Sequence, residues 1–211
     1  MAKSRYPSNA AAFSDRAASL ISSGESANLF YAALEIRMGV EARLQSYVLA
    51  RSETSAAVKK GWKIQDLAKG LEKAFKGSKD VVQLSYSHTR DDPPFAVFRY
   101  TPVTTELQKI AQRLGDYLHY REVKVERDDS WWAQFRQIVK RGQELLSLCA
   151  SGQLMGPPLW YPRTGEIKLN VEFTAGDPGI EQMLQLAKTR QELMIEVTYI
   201  PVDQFYVAAR L

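Results

Sequence analysis

One cysteine, Cys149, in a chain of 211 residues leaves no partner for an intrachain disulfide. The fold must stand on packing alone, and a reducing compartment suits it best. Histidine is nearly as scarce, with only His88 and His119. Neither has a cysteine or a second histidine at ligand spacing, and neither a glycine-rich phosphate loop nor a nucleophile elbow occurs. No metal and no cofactor is therefore expected. No apolar run approaches the ~20 residues of a membrane span, and the N-terminus, MAKSRYPSNAAAF, lacks a signal-peptide core. A soluble, cytoplasmic protein is the expectation.

What is present is ordinary globular composition, 45% hydrophobic and 25% charged. That is enough for one sizeable core and argues against disorder. Twenty-eight basic residues against 24 acidic ones leave a formal net charge of +4. Such an excess permits an acidic partner such as RNA without demanding one.

The hydrophobic period predicts an α+β protein: a helical core with an inserted β-hairpin and a C-terminal β-α-β extension packed on it. Ser8 or Asn9 caps a first helix that stops at Gly24. Ser26 precedes a long, proline-free helix, Ala27 to about Ser52, that is apolar on most sides and so belongs at the centre of a bundle. A short amphipathic helix follows, with Ile64, Leu67, Leu71 and Phe75 on one face. The period then shortens. Val82, Leu84 and Tyr86, then Phe95, Val97, Arg99 and the aromatics around them, flank an Arg90-Asp91-Asp92-Pro93-Pro94 turn and predict a hairpin near 81–101.

Thr105 and Gln108 form a capping box for a helix with Leu107, Ile110, Ala111, Leu114 and Leu118 as its stripe. Asp128-Asp129-Ser130 opens another, lined by Trp131, Phe135, Ile138, Leu145 and Cys149, with Gly142 placed for a close neighbour and Gly152 as its end. The loop LMGPPLWYPR, 154–163, is the best internal boundary. It separates a core of residues 1–152 from an extension of 153–211, in which 166–173 is a strand, 178–188 a helix and 192–201 a second strand.

On the central helix, ~100° per residue places Phe30, Leu34, Arg37, Glu41, Leu44 and Val48 on one strip. Arg37 and Glu41 then sit one turn apart on an apolar face. A buried unpaired charge costs several kcal/mol, so the two form either a structural ion pair or the wall of a polar site. Farther on, Arg113 and His119 are separated by five residues. A regular helix turns ~600° over six residues, which leaves them ~120° apart. They converge only if the helix distorts near Gly115 or a second subunit completes the site.

The segment Tyr31-Ala-Ala-Leu-Glu-Ile-Arg-Met-Gly-Val-Glu41, together with Arg113-Leu-Gly-Asp-Tyr-Leu-His119, resembles the two signature helices of the HEPN superfamily. The resemblance is close over these stretches and loose over 10–150. It implies a compact helical bundle paired into homodimers. It also implies an RNA-directed role in toxin or phage-defence systems, and in active members a metal-independent endoribonuclease. On that likeness His119 is the general acid/base, Arg113 the phosphate clamp, and Glu41 the carboxylate that orients the imidazole. Leu114 departs from the family, whose active members often carry a polar residue there.

Arg37, with the lysine stripe of Lys69 and Lys73, completes the candidate substrate contacts. Lys59, Lys60, Lys63, Lys76 and Lys79 lie close by with Trp62 among them, a composition suited to a nucleic-acid backbone and equally to a solvated helix face. The competing expectation is a non-catalytic dimeric scaffold or regulatory subunit, which uses the ion pair structurally and binds a protein or nucleic-acid partner.

Overall fold

The computed structural model describes residues 7–50, 55–61, 63–74, 79–119, 129–157, 159–161, 166–168, 170–171, 181, 184–185, 188 and 193–208. The protein is α+β, and its chain divides into two compact units. The first joins Met1–Ala74 with Val103–Ala150, and the second joins Phe75–Pro102 with Ser151–Leu211. The expected boundary is 152/153, and the two units change over at Ala150/Ser151. The hairpin, expected with the helices, groups instead with the C-terminal segment.

In the helical unit, α1 (Ala10–Ser22) is capped by Asn9, whose side chain accepts from the Ala12 N–H at 2.8 Å. Gly24, at φ +77°, takes a backbone conformation that other residues rarely adopt, and it turns the chain into α2 (Ser26–Leu49). Ser26 is already helical. The N-cap is Glu25, which makes no side-chain capping bond. α3 (Ala56–Lys59) and α4 (Ile64–Ala74) follow, with Ile64, Leu67 and Leu71 buried. Phe75, Trp62 and Lys76 lie outside the described residues.

α5 (Thr105–Leu118) is capped by Thr104 rather than Thr105. The Thr104 hydroxyl accepts from the Leu107 N–H at 3.1 Å, while the Gln108 amide donates to the Val103 carbonyl at 2.9 Å. Only half of a capping box is there, entered one residue early: the hydroxyl caps the helix, but Gln108 donates to a carbonyl instead of accepting from the N-cap N–H. α6 (Asp129–Ala150) ends before Gly152 and buries Phe135, Val139, Leu145, Leu146 and Cys149. Asp128 lies outside the described residues.

Two glycines set how closely these helices approach. A Cβ on Gly39 would lie 2.5 Å from Leu146 Cδ2 and 3.0 Å from Phe13 Cβ, so α1, α2 and α6 meet there. A Cβ on Gly142 would lie 3.0 Å from Ile110 and 3.3 Å from Ile36, which brings α2, α5 and α6 together. Each fully buried leucine in this packing contributes about 1.5–3 kcal/mol of transfer free energy. No helix among the described residues is long and apolar enough to cross a membrane.

The second unit holds a three-stranded antiparallel sheet of β1 (Val81–Ser87), β2 (Ala96–Tyr100) and β5 (Met194–Ile200), in the order β2-β1-β5. Leu84 stands opposite Phe98 on one side and Val197 on the other. On β2 the buried side chains are Ala96, Phe98 and Tyr100, whereas Arg99 is exposed and donates to Gln83 at 2.8 Å. Of the run expected around Phe95, Val97 and Arg99, the neighbouring aromatics Phe98 and Tyr100 take the buried phase, and a slip of one would reverse the faces of the strand.

β3 (Leu159–Tyr161) and β4 (Glu166–Lys168) form a separate two-stranded ladder. The two strands expected of one β-α-β unit therefore pair elsewhere, β4 with β3 and β5 with β1. The expected helix at 178–188 falls on residues that are mostly outside those described. A helix not foreseen, α7 (Val202–Ala208), follows β5 directly.

Candidate functional site

On α2 the buried residues are Leu29, Ala32, Ala33, Ile36, Gly39, Val40, Arg43, Leu44, Tyr47 and Val48. Only Leu44 and Val48 of the expected strip belong to this stripe. Leu34 is 46% exposed, and the side chains of Arg37 and Glu41 keep 28% and 22% of their exposure. The expectation of a core ion pair is corrected accordingly: Arg37 Nε meets Glu41 Oε1 at 3.2 Å on a half-open surface. Apolar residues stand on every side of α2, so periodicity could not choose its face.

Arg43 is the buried charge, 4% exposed. Its Nε donates to the Tyr47 hydroxyl at 2.8 Å, and its guanidinium lies over that ring, 4.6 Å from the centroid. The Cys149 thiol belongs to the same cluster. Burial pushes its pKa up, against the opposing pull of Arg43 and of the Arg43 and Tyr47 hydrogen bonds. The sequence held a signal for this: Leu29, Ile36, Val40, Arg43 and Tyr47 recur at helical spacing.

Arg37 also reaches α5. Its Nη1 occupies the space that a side chain at Gly115 would need, so the guanidinium rests on bare backbone. One turn farther along, His119 is the C-cap of α5. It is exposed, with φ −77° and ψ 133°, and its backbone N–H donates to the Gly115 carbonyl at 3.2 Å. Arg37, Glu41 and Gly115 are therefore together, with the residue that carries the imidazole next along α5. The described helix is regular through Gly115.

Arg113 lies elsewhere. It is exposed and lines an open groove of about 350 Å³ between α5 and α6, with Glu106, Lys109, Ile110, Gln137, Ile138 and Arg141. One end of the groove is tied by Arg141, whose Nε and Nη2 donate to the two Glu106 carboxylate oxygens at 2.7 and 3.0 Å. That hydrogen bond is the main cause of an upward shift in the Arg141 pKa, with burial opposing it. No hydrogen bond or ion pair among the described residues joins Arg113 to His119, or either one to Glu41.

At the opposite end of the two helices, Tyr117 meets Trp131 edge-on at 5.4 Å and stacks on Phe135 at 4.7 Å, with Trp132 and Phe30 around them. These aromatics other than Phe135 are partly exposed. Of the lysines, Lys69 is exposed on α4, as are Lys60 and Lys63 before it. Lys73 also falls on α4, with its side chain outside the described residues. His88 is exposed, its ring 4.8 Å from that of Phe95. No group of three potential metal ligands occurs among the described residues. Compared with known proteins, the chain matches no family model, no curated protein and no solved structure.

Proposed function

We propose that this chain is an RNA-directed, HEPN-like protein that works as a homodimer in a toxin or phage-defence setting. The observation that supports the RNA part best is the state of Arg113. Arg16, Arg37, Arg43 and Arg141 each have a side-chain partner. Arg113, like Arg90 and Arg136, makes no hydrogen bond or ion pair among the described residues, and of these three it alone lines the groove, exposed beside Lys109. An open guanidinium beside a second cation suits phosphate, which accepts its forked donors.

In its stronger form the reading is a metal-independent endoribonuclease. His119 then moves the proton at the ribose hydroxyl or the leaving oxygen, Glu41 orients the imidazole, and Arg113 stabilises charge on the phosphate. Within one subunit Arg113 opens on the α5–α6 groove, whereas His119 follows the Arg37–Gly115 contact. The chemistry therefore needs a second copy to supply one of the two groups.

A second reading, a non-catalytic dimeric scaffold, draws on the exposed stripe of Tyr31, Leu34 and Met38 on α2, which are 61%, 46% and 42% exposed. One experiment separates the two. Purified protein is incubated with total RNA in chelator, beside His119→Ala and Arg113→Lys. The nuclease cleaves without metal, loses cleavage in His119→Ala and is impaired in Arg113→Lys, with both variants folded. A scaffold shows no cleavage in any sample. Cleavage that persists unchanged in His119→Ala comes from a contaminant or another site, and the catalytic reading then falls.

A further inference from the structure

α5 and α6 run antiparallel: Glu106 faces Arg141 at one end, and Tyr117 faces Trp131 at the other. At ~100° per residue, Ile110, Arg113 and Tyr117 share one strip of α5, and Trp131, Ile138 and Arg141 share one strip of α6. The groove and the aromatic pair thus lie on one line, a furrow along α5 and α6 whose pocket is lined from Glu106 to Arg113, with the aromatic pair beyond it. It has Ile110 and Ile138 along its length, an ion pair closing one end and an aromatic pair closing the other. From Glu106 to Tyr117 the furrow extends about 16 Å along α5.

The charges of the furrow are unevenly engaged. Arg141 gives all three of its nitrogens to Glu106 and Glu144. Lys109 and Arg113, one turn apart, make no ion pair among the described residues. Two like charges at this spacing repel, and cost the helix a few tenths of a kcal/mol. Nothing in the packing requires them, since both are exposed. Their one-turn separation is of the order of that between consecutive phosphates on an extended strand. Tyr117, one turn beyond Arg113, is partly exposed and already makes ring contacts with Trp131 and Phe135.

We propose that this furrow binds a short single-stranded RNA segment, with Lys109 and Arg113 on successive phosphates and one base stacked on the Tyr117–Trp131 end. The proposal rests on the RNA-directed reading above and deepens it by naming the strand state and the contacts. Duplex RNA fits poorly, because its bases are already stacked on one another and cannot reach an aromatic platform. A flexible single strand can put phosphate on the cations and a base on the rings together.

The test is anisotropy titration of a short fluorescein-labelled oligouridylate with the full chain over a range of salt. Lys109→Ala and Arg113→Ala should each weaken binding about tenfold and lower the salt slope by about 0.7. Tyr117→Leu should weaken it at least about fivefold with the salt slope unchanged, because stacking releases no counterions. A urea midpoint and circular dichroism spectrum of Tyr117→Leu close to the parent's guard against a folding defect, and Tyr117→Phe, which keeps the ring, should recover most of the lost affinity.

If the oligonucleotide binds but only Lys60→Ala, Lys63→Ala or Lys69→Ala weakens it, the furrow is not the site while the RNA-directed reading stands. If nothing binds at low salt, both fall together. Equal affinity for polyglutamate, competing with the oligonucleotide and insensitive to Tyr117→Leu, would show a general anion surface and overturn the proposal.

Discussion

Two arginines on α2, six residues apart, meet opposite fates. Arg43 is buried against Tyr47 and Cys149, and Arg37 lies half exposed between Glu41 and the bare backbone of Gly115. A buried guanidinium has lost its water, so each protein contact it keeps replaces hydration that is costly to forgo. A half-exposed one retains solvent, and its ion pair is weakened by screening and by the entropy of two long side chains. Arg43 should therefore matter for stability and Arg37 for what the surface does. Both can be tested in the same denaturation experiments.

The largest effect is expected from Arg43→Ala. It empties a fully enclosed site and removes the donor to the Tyr47 hydroxyl, at a cost of about 2–4 kcal/mol. Urea midpoints read this directly. A loss under 0.5 kcal/mol would mean that Arg43 is solvated and that the contrast with Arg37 is unreal. Tyr47→Phe should cost less, about 1.5–2 kcal/mol, since the ring stays under the guanidinium while one charge-assisted hydrogen bond is lost.

Next comes alkaline pH. Burial holds the Cys149 thiol and the Tyr86 phenol above their ordinary pKa values. The folded state therefore binds these protons more tightly than the unfolded chain does. The contribution is complete below the unfolded values, near 8.5 for a thiol and 10 for a phenol, and is lost as pH rises past them. The urea midpoint should fall from about pH 8.5 upward, and Cys149→Ala should flatten the first part of that fall. Identical slopes in parent and variant would place the thiol in contact with water.

Much of the fold was legible because each signal was local. Asn9 and Gly24 bracket α1 by capping chemistry, Gly142 marks a close helix approach, and the alternating run at 81–87 makes a strand. What escaped depended on choosing between equivalent faces. α2 is apolar all round, so Arg43 was hidden while Arg37 and Glu41 stood out. On β2 Phe98 and Tyr100 fall in the buried phase and Val97 and Arg99 in the other, which left the register open. The pairing of β5 with β1 spans more than a hundred residues, and no local pattern encodes a partner that distant. For the site, the separation of Arg113 from His119 followed from helical arithmetic. The furrow did not, because it needs the register of α5 against α6.

The smallest effect is expected at Glu41, where the contrast with Arg43 is sharpest. Removing the carboxylate leaves Arg37 beside Gly115 with water still in reach, so Glu41→Ala should cost about 0.2–1 kcal/mol. Arginine before glutamate is also the weaker order for a helical pair. Measured in dilute protein and raised salt, the loss should shrink further, as surface pairs do. Leu34 and Met38 share the strip of Arg37 and Glu41 on α2 and are exposed with them. If a second copy packs on that strip, the pair is desolvated in the dimer and the cost of Glu41→Ala must grow with protein concentration. A concentration-independent loss of about 3 kcal/mol would instead put the pair inside a single chain, contrary to its exposure. Titrating the variant's stability from nanomolar to tens of micromolar therefore tests the small energy and the homodimer in one measurement.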